Sequence, residues 1–410
     1  MSSTFRSLRY RNARLFFVGL AISNIGTWLQ LTAMSLLVYR LTGEATSVGV
    51  SVALQFLPTL LLGAWAGVIA DGRDRRTMAI VTQGALAVQA VVLGVIDLAG
   101  YANLSVVYVM SLVLGVVTAF DNPARRGLVT ELVPTVDIPN ATSLNTAVMT
   151  GSRIFGPAMA ALLVNTIGTA WCFLANGLTF FAIIFSLVAI RPAELFPTTR
   201  RPKGGRPVRE ALHFVASRRD MTIIYLLLVV VSTVAFNQAT VFPKLADVRW
   251  GDEGAFGVLL AVMSIGSLIG SLLTARFQRV AMGWLFGSIV TMALAGFGLA
   301  WAPNLALALA WTVPFGLGAA GFIAATNAMV QQECPADMRS RLLALQAVAF
   351  LGSTPIGGPL TGWIADNVSA EWALAYSSVV SLLCVLVAAI AWRSRDRTPT
   401  APHAVLTSPS

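Results

Sequence analysis

Along most of this chain the polar residues come in short clusters, and the sequence between them is apolar for about twenty residues or more at a time. An α-helix rises about 1.5 Å per residue, so roughly 20 apolar residues cross the ~30 Å hydrocarbon layer of a bilayer. Twelve such runs can be placed, at 15–40, 45–70, 78–98, 103–121, 140–165, 170–190, 221–244, 255–275, 283–301, 303–328, 341–365 and 371–392. The runs are continuous, whereas the strands of a membrane β-barrel are about ten residues long and alternate in polarity. The pattern therefore predicts an all-α integral membrane protein with twelve transmembrane helices.

The widest polar break runs from Arg191 to Arg219, with Pro192, Pro197, Pro202 and Pro207 beside Gly204 and Gly205. Such a density of helix breakers marks a linker. Past it, Val208, Ala211, Leu212 and Val215 recur at helical spacing next to Arg209, Arg218 and Arg219. That pattern suits a short amphipathic helix lying on the inner membrane face. The expected organisation is a six-helix bundle over 1–190, a cytoplasmic linker over 191–219, a second six-helix bundle over 220–392 and a disordered cytoplasmic tail over 393–410.

The halves repeat. Gly67 matches Gly270 and Arg76 matches Arg279 at an offset of 203, while Glu131 matches Glu333, and Gly156-Pro157 matches Gly358-Pro359, at 202. An even number of spans per unit gives both copies the same topology, so the repeat is parallel. Each Gly-Pro pair predicts a helix kink. Transporters built this way hold their substrate near the midplane between the halves.

Composition agrees: 56% of residues are hydrophobic and 11% charged, against about 25% charged in soluble domains. Of the 28 Lys and Arg residues, 24 fall on one side of the predicted spans. The positive-inside rule then places both termini in the cytoplasm. The first run is too long for the apolar core of a cleavable signal and lacks an A-x-A site, so it stays as helix 1. The net charge of +10 also favours anionic lipid headgroups at the inner face. Its scatter over short turns argues against nucleic acid. Cys172, Cys334 and Cys384 are widely spaced, and His213 and His403 are the only histidines. No disulfide framework, metal spacing or histidine triad follows. Neither Lys203 nor Lys244, the only lysines, sits in a phosphate-binding loop, which excludes an ATP-driven pump. No enzyme, cofactor or metal is expected.

Three features carry candidate chemistry. The first is the turn Gly67 to Thr77, with Asp71, Asp74, Arg75 and Arg76. Asp71 stands at the C-terminal end of helix 2, where the helix dipole disfavours an anion. It needs a cation or the N-terminus of another helix; the bland alternative is that the arginines only anchor topology. The second is Arg153, deep in helix 5, where a charge is costly unless it faces a cavity or a partner. Pro157, four residues on, cannot donate to the Arg153 carbonyl. Arg153 either faces the central pathway and binds an anionic or carbonyl-rich group, or pairs with Asp121 or Asp71, or ties helix 5 to its neighbours. The third is a set of intramembrane polar residues: Asn24, Gln30, Gln55, Asn145, Asn176, Asn237, Gln238, Asn327 and Gln346. About half of these are expected to glue helices together. Asp71, Asp121, Glu131 and Glu333 fall near inner helix ends and Asp97 and Asp366 near outer ones, leaving no carboxylate at mid-depth.

The string Gly67-x-x-Ala70-Asp71-x-x-Asp74-Arg75-Arg76 resembles the cytoplasmic signature between helices 2 and 3 of the major facilitator superfamily. The stretches 26–43, 54–71, 119–134 and 140–163, and more loosely 236–246, resemble its drug and siderophore exporters, among them the enterobactin exporter and macrolide-efflux proteins. The resemblance implies a secondary exporter of small hydrophobic or siderophore-like molecules, a proton antiporter working by alternating access. It implies a monomer in the inner membrane of a bacterium. Helices 1, 4, 7 and 10 would line the cavity, which selects Asn24, Asn237, Gln238 and Asn327 as substrate contacts, Trp28 and Phe120 as apolar ones and Asp121 as the proton carrier. The turn would be a gate: Asp71 would cap helix 11, which starts near Arg339 and Arg341, and its contact with Arg75 would break on inward opening. Gly72, where the signature has arginine, and Thr274, at the aspartate position of the second copy, depart from the pattern. A nutrient importer, or a transport-silent receptor or scaffold with the same fold, are the alternatives.

Overall fold

The computed structural model describes residues 3–196, 207–252, 254–335 and 338–393. Within these residues a short 3-10 turn, Ser3–Arg9, leads into fourteen α-helices and there is no strand. They are α1 Arg11–Thr42, α2 Ala45–Gly72, α3 Arg75–Leu98, α4 Leu104–Glu131, α5 Ile138–Ile167, α6 Thr169–Ala189, α7 Pro207–Ser217, α8 Arg219–Ala235, α9 Gln238–Trp250, α10 Ala255–Ala275, α11 Met282–Ala300, α12 Leu305–Glu333, α13 Arg339–Asn367 and α14 Ala370–Arg393. Twelve spans are long and apolar enough to cross a membrane, with α8 and α9 sharing one of them. Several ends are written locally. Asn103, Asn304 and Asp74 accept the amides of Val106, Leu307 and Thr77 at 3.1, 2.9 and 2.6 Å, capping α4, α12 and α3. Gly43 and Gly251 end α1 and α9 with φ of 67° and 64°, a conformation other residues adopt at a cost.

Two sequence expectations change. The fourth span does not end at 121; α4 continues to Glu131 through Pro123. Asp121, Arg125 and Arg126 are thus inside a helix instead of marking its end. The polar Asp121-Asn122-Pro123 run looked like a break, but partners on α3 and α4 satisfy the acid and the helix continues. The seventh span, expected unbroken over 221–244, is interrupted at Phe236 and Asn237, whose φ/ψ of −108°/35° and −111°/31° are not helical. The amphipathic helix after the linker is present as α7. Its Ala211 and Val215 are buried in the same core as α8, and Glu210 pairs with Arg341 of α13. Linker residues 197–206, including Pro197, Pro202, Gly204 and Gly205, and the tail beyond Arg393 lie outside the described residues.

Helices α1 to α6 pack chiefly on one another through α1 against α5 and α6, α2 against α4, and α3 against α4 and α6. Helices α8 and α10 to α14 do the same through α12 against α10 and α11, α11 against α14, and α8 against α13 and α14. Two antiparallel pairs join the sets: α2 with α13, and α5 with α10.

These joints differ between the two ends of the molecule. The end carrying Ser3 and Arg393 is the terminal face and the other the far face. At the far face α2 and α13 are backbone to backbone: a Cβ on Gly358 would stand 3.0 Å from the Gly49 carbonyl, and one on Gly362 would stand 2.5 Å from that of Ala45. On the same stripe of α2, further along, Leu60 still reaches Gly352, at 3.2 Å from a Cβ built there. Gly63 and Gly67 come next and have nothing within 4 Å, and Val348 opposite them is exposed. The helices splay apart. The molecule is closed at the far face and open at the terminal face.

Candidate functional site

Closure at the far face is built from ions and helix ends. Asp366, near the C-terminus of α13, accepts the amides of Ala45 and Thr46 at 2.8 and 2.7 Å and the Thr46 hydroxyl at 2.5 Å. These are first-turn donors of α2, which have no partner within their own helix. Lys244 of α9 reaches the same carboxylate at 2.6 Å, and Tyr39 of α1 donates to Asp247 of α9 at 2.6 Å. The Asp366 and Tyr39 hydrogen bonds tie one half to the other, while Lys244 braces Asp366 from within its own half. Sequence reasoning noted Asp366 only as an acid near a helix end. A usable signal was present: Gly362-x-Ile364-Ala365-Asp366 repeats Gly67-x-Ile69-Ala70-Asp71, placing one ending on two antiparallel helices at opposite faces.

At the terminal face Asp71 is 64% exposed and its carboxylate meets Arg75 alone among the described residues, at 3.0 Å. Arg75 also donates to Glu131 at 3.0 Å and to the Gly127 carbonyl at 3.3 Å, pinning the start of α3 to the end of α4. The Asp71–Arg75 contact lies within one half and is intact while this face is open, so the expectation that it breaks on opening is corrected. Asp74 is the N-cap of α3, and hydrogen bonding by Thr77 holds its carboxyl below the usual range. Arg76 caps the C-terminal end of α6, donating to the carbonyls of Leu187 and Val188 at 2.6 and 2.8 Å. The matched glycines diverge: Gly270 is pressed on Leu317 of α12, whereas Gly67 faces open space.

Midway along α5, Arg153 lies 15 residues from one helix end and 14 from the other, about 22 Å from each. Its position on the helix is set by its neighbours. Gly156 is packed on Trp28 and Ile25 of α1, Ala161 on Gly257 of α10, and Phe155 and Leu162 are exposed on the outer side. At 100° per residue Arg153 and Pro157 fall between the α1 and α10 contacts, opposite Phe155 and Leu162, so they point between the halves. The guanidinium carbon lies 4.8 Å from the centre of the Trp28 ring. Among the described residues no carboxylate pairs with it, neither Asp121 nor Asp71 included, and no acceptor takes its N–H groups. The carbonyl that Pro157 cannot use is taken by the Ser264 hydroxyl of α10, at 2.8 Å. The carbonyl freed by Pro157 thereby becomes a joint between the halves, and carbonyl and guanidinium do different work.

Asp121 is fully buried. One of its oxygens accepts from Thr82 and Gln83 of α3, both at 2.8 Å, and the other accepts from Arg125 at 2.5 Å. It lies ten residues before the end of α4, about 15 Å deep. Because α4 runs on to Glu131, Asp121 is set back from the inner helix end at which the sequence placed it, and the other described acids lie within about a turn of a helix end or outside helices.

The remaining candidates separate by burial. Asn24 is buried and donates to the Met149 sulfur, and Gln30 bridges Gln89 and Asn176 at 2.9 and 2.6 Å. Asn237 and Gln238 are turned inward at the break between α8 and α9. Gln238 donates to the Ala235 carbonyl at 2.5 Å; Asn237 donates to the Thr233 carbonyl and the Thr361 hydroxyl at 2.7 and 3.0 Å. They repair a broken helix, and the cavity position expected for them does not hold in this conformation, nor does that of Asn24. Phe120 packs edge-on against Trp65 at 5.7 Å. Trp65 lies with Leu61 and Val68 on the exposed outer stripe of α2, so Phe120 faces the outside of the bundle. Trp28 and Asn327 are half-buried, and none of the described residues hydrogen-bonds the Asn327 side chain.

Comparison with known proteins places this arrangement. Residues 2–407 match the family model described as transmembrane secretion effector. The chain belongs to that family, within the major facilitator superfamily. It is 22% identical to the staphyloferrin A transporter of Staphylococcus aureus over 292 residues, 69% of this chain and 72% of that protein. It is 23% identical to the enterobactin exporter EntS of Shigella flexneri over 399 residues, 94% of each. Among solved structures, a bacterial homologue of the human lysosomal transporter Spinster, inward-facing and unoccupied, superposes with a TM-score of 0.72 at 15% identity, covering 96% of this chain and 99% of that one. The exporter resemblance and the twelve-helix fold read from the sequence both stand. The family is one of transporters and not of enzymes.

Proposed function

We propose that this transporter is a bacterial inner-membrane exporter that collects small molecules through the terminal face and releases them at the far face, driven by protons. One observation carries the reading: at the terminal face Gly63 and Gly67 of α2 have nothing opposite them and Arg153 beside Trp28 is exposed at mid-length of α5, while the far face is shut by the Asp366 and Tyr39 contacts that cross between the halves. The arginine surplus of the terminal face makes it the cytoplasmic one. Asp121 is the proton-carrying group. Protonation would release Arg125, and a buried cation freed from its acid needs a new partner; that demand couples the proton to rearrangement of α4.

Asp71 completes the cycle. Asp366 caps α2 at the closed far face; by the shared Gly-x-Ile-Ala-Asp ending, Asp71 caps the N-terminus of α13 once the terminal face closes. The similarity to an exporter of a siderophore supports an outward direction, and the polar residues retained inside favour transport over a silent scaffold. The test is accumulation of a compound panel in an efflux-deficient bacterial host, with and without an uncoupler. Reduced accumulation that the uncoupler abolishes is expected; no change for any compound favours the silent-receptor alternative. Asp71→Asn, inserted normally but transporting at the wild-type rate, rules out the gate.

A further inference from the structure

Arg153 has a charge at the centre of the span and nothing in the protein to balance it. Its side chain is exposed to the opening between the halves, its guanidinium offers five donors, and among the described residues none of the five finds an acceptor. Cation–π contact with Trp28 occupies one neighbour of the guanidinium and leaves its forked N–H groups, which match an oxyanion, without a protein partner among the described residues. The Arg153 carbonyl freed by Pro157 takes its hydrogen bond from Ser264. Asp121, the set-back acid, is neutralised by Arg125. The interior thus carries an uncompensated positive charge with an aromatic ring beside it.

While the terminal face is open, water hydrates that charge. Closure of both faces would strip it, at a cost no neighbouring group offsets. We propose that the cargo supplies the missing charge: the transported molecule is an organic anion carrying a carboxylate or similar oxyanion next to a flat, unsaturated part, with Arg153 receiving the oxyanion and Trp28 the flat part. The reading rests on the transporter function proposed above. It also gives that function its selectivity, because the empty protein is held back from occlusion and the anion-loaded one is released to proceed. A lipophilic cation at this site would double the charge.

The test uses the purified full-length protein in neutral-lipid nanodiscs and three probes of one shape: 2-naphthoate, 2-naphthamide and 2-naphthylmethylammonium. Equilibrium dialysis should find naphthoate bound at least ten-fold tighter than the amide, and the ammonium weakest. Arg153→Gln should bring naphthoate down to the amide's level, and Arg153→Lys should keep most of the charge preference. Equal binding of the three probes, no binding of any, or a preference that survives Arg153→Gln in monodisperse protein would overturn the proposal; in the wild type this reading does not depend on any variant folding. Counterflow in proteoliposomes separates the two levels. Arg153-dependent binding without counterflow sustains the anion site and sinks the transporter reading. Counterflow of the ammonium by wild type and Arg153→Gln alike sustains transport and overturns the anion site.

Discussion

Arg153 and Asp121 are both charged and both set deep, yet their surroundings divide them. Asp121 is matched on every side, by Thr82, Gln83 and Arg125, and Arg153 only by a ring. Replacing Asp121 by alanine strands Arg125, and breaking such a pair costs about 3–5 kcal/mol; the thermal midpoint in detergent should fall markedly. Asp121→Asn keeps the shape and the Thr82 contact and should lower the thermal midpoint less than the alanine does while removing uncoupler-sensitive accumulation. A full uncoupler response in Asp121→Asn moves the proton elsewhere. Asp74 makes a purely structural contrast. Its carboxyl is held low by Thr77, so its capping contribution is complete above the unfolded value of about 3.9 and is lost as pH falls through the lower folded value. Asp74→Ala should cost about 1 kcal/mol or less near pH 7, with the difference from wild type shrinking below about pH 4.

At the level of elements the helices were legible and the way they end or break was only partly so. Asn103 and Asn304 stand where a cap belongs, and long apolar runs leave little choice in a bilayer. The extension of α4 past Asp121 was hidden because a buried ion pair makes a polar run behave as helix interior; only the distant Thr82 and Gln83 reveal it. The break in the seventh span was hidden for the opposite reason. Phe236-Asn237-Gln238 contains no glycine or proline, and the break holds because Asn237 and Gln238 bond the carbonyls it exposes and because Gly357 of α13 leaves room for it. Polar residues on a lining helix therefore read as cavity contacts when they were mending backbone. The α2–α13 pair yields a direct prediction. Asp366→Ala removes the acceptor of two α2 amides and the partner of Lys244. Spin labels on the far ends of α2 and α13 should then show a longer mean separation, and an unchanged distance distribution would leave the far face held by backbone packing alone.

For the molecule as a whole, the repeat and the charge count foretold two halves with the same topology, and a shut far face with an open terminal one is a property no single sequence displays. Orientation is open to measurement. In a background without Cys172, Cys334 and Cys384, a cysteine at Tyr101 should react with an impermeant maleimide on intact cells, and one at Arg73 only after permeabilisation; the reverse pattern inverts the membrane and the direction of transport with it. The link from Ser264 to the Arg153 carbonyl has a mechanical meaning beyond its hydrogen bond. It is a fulcrum. It joins the halves at mid-length of α5, with lever arms of about 20 Å on either side, so a small rotation there becomes a large displacement at both faces and almost none at the pivot. The guanidinium springs from that same residue. A cargo resting on it sits at the still point of the seesaw, and the membrane's two sides can be exchanged around it without its being carried.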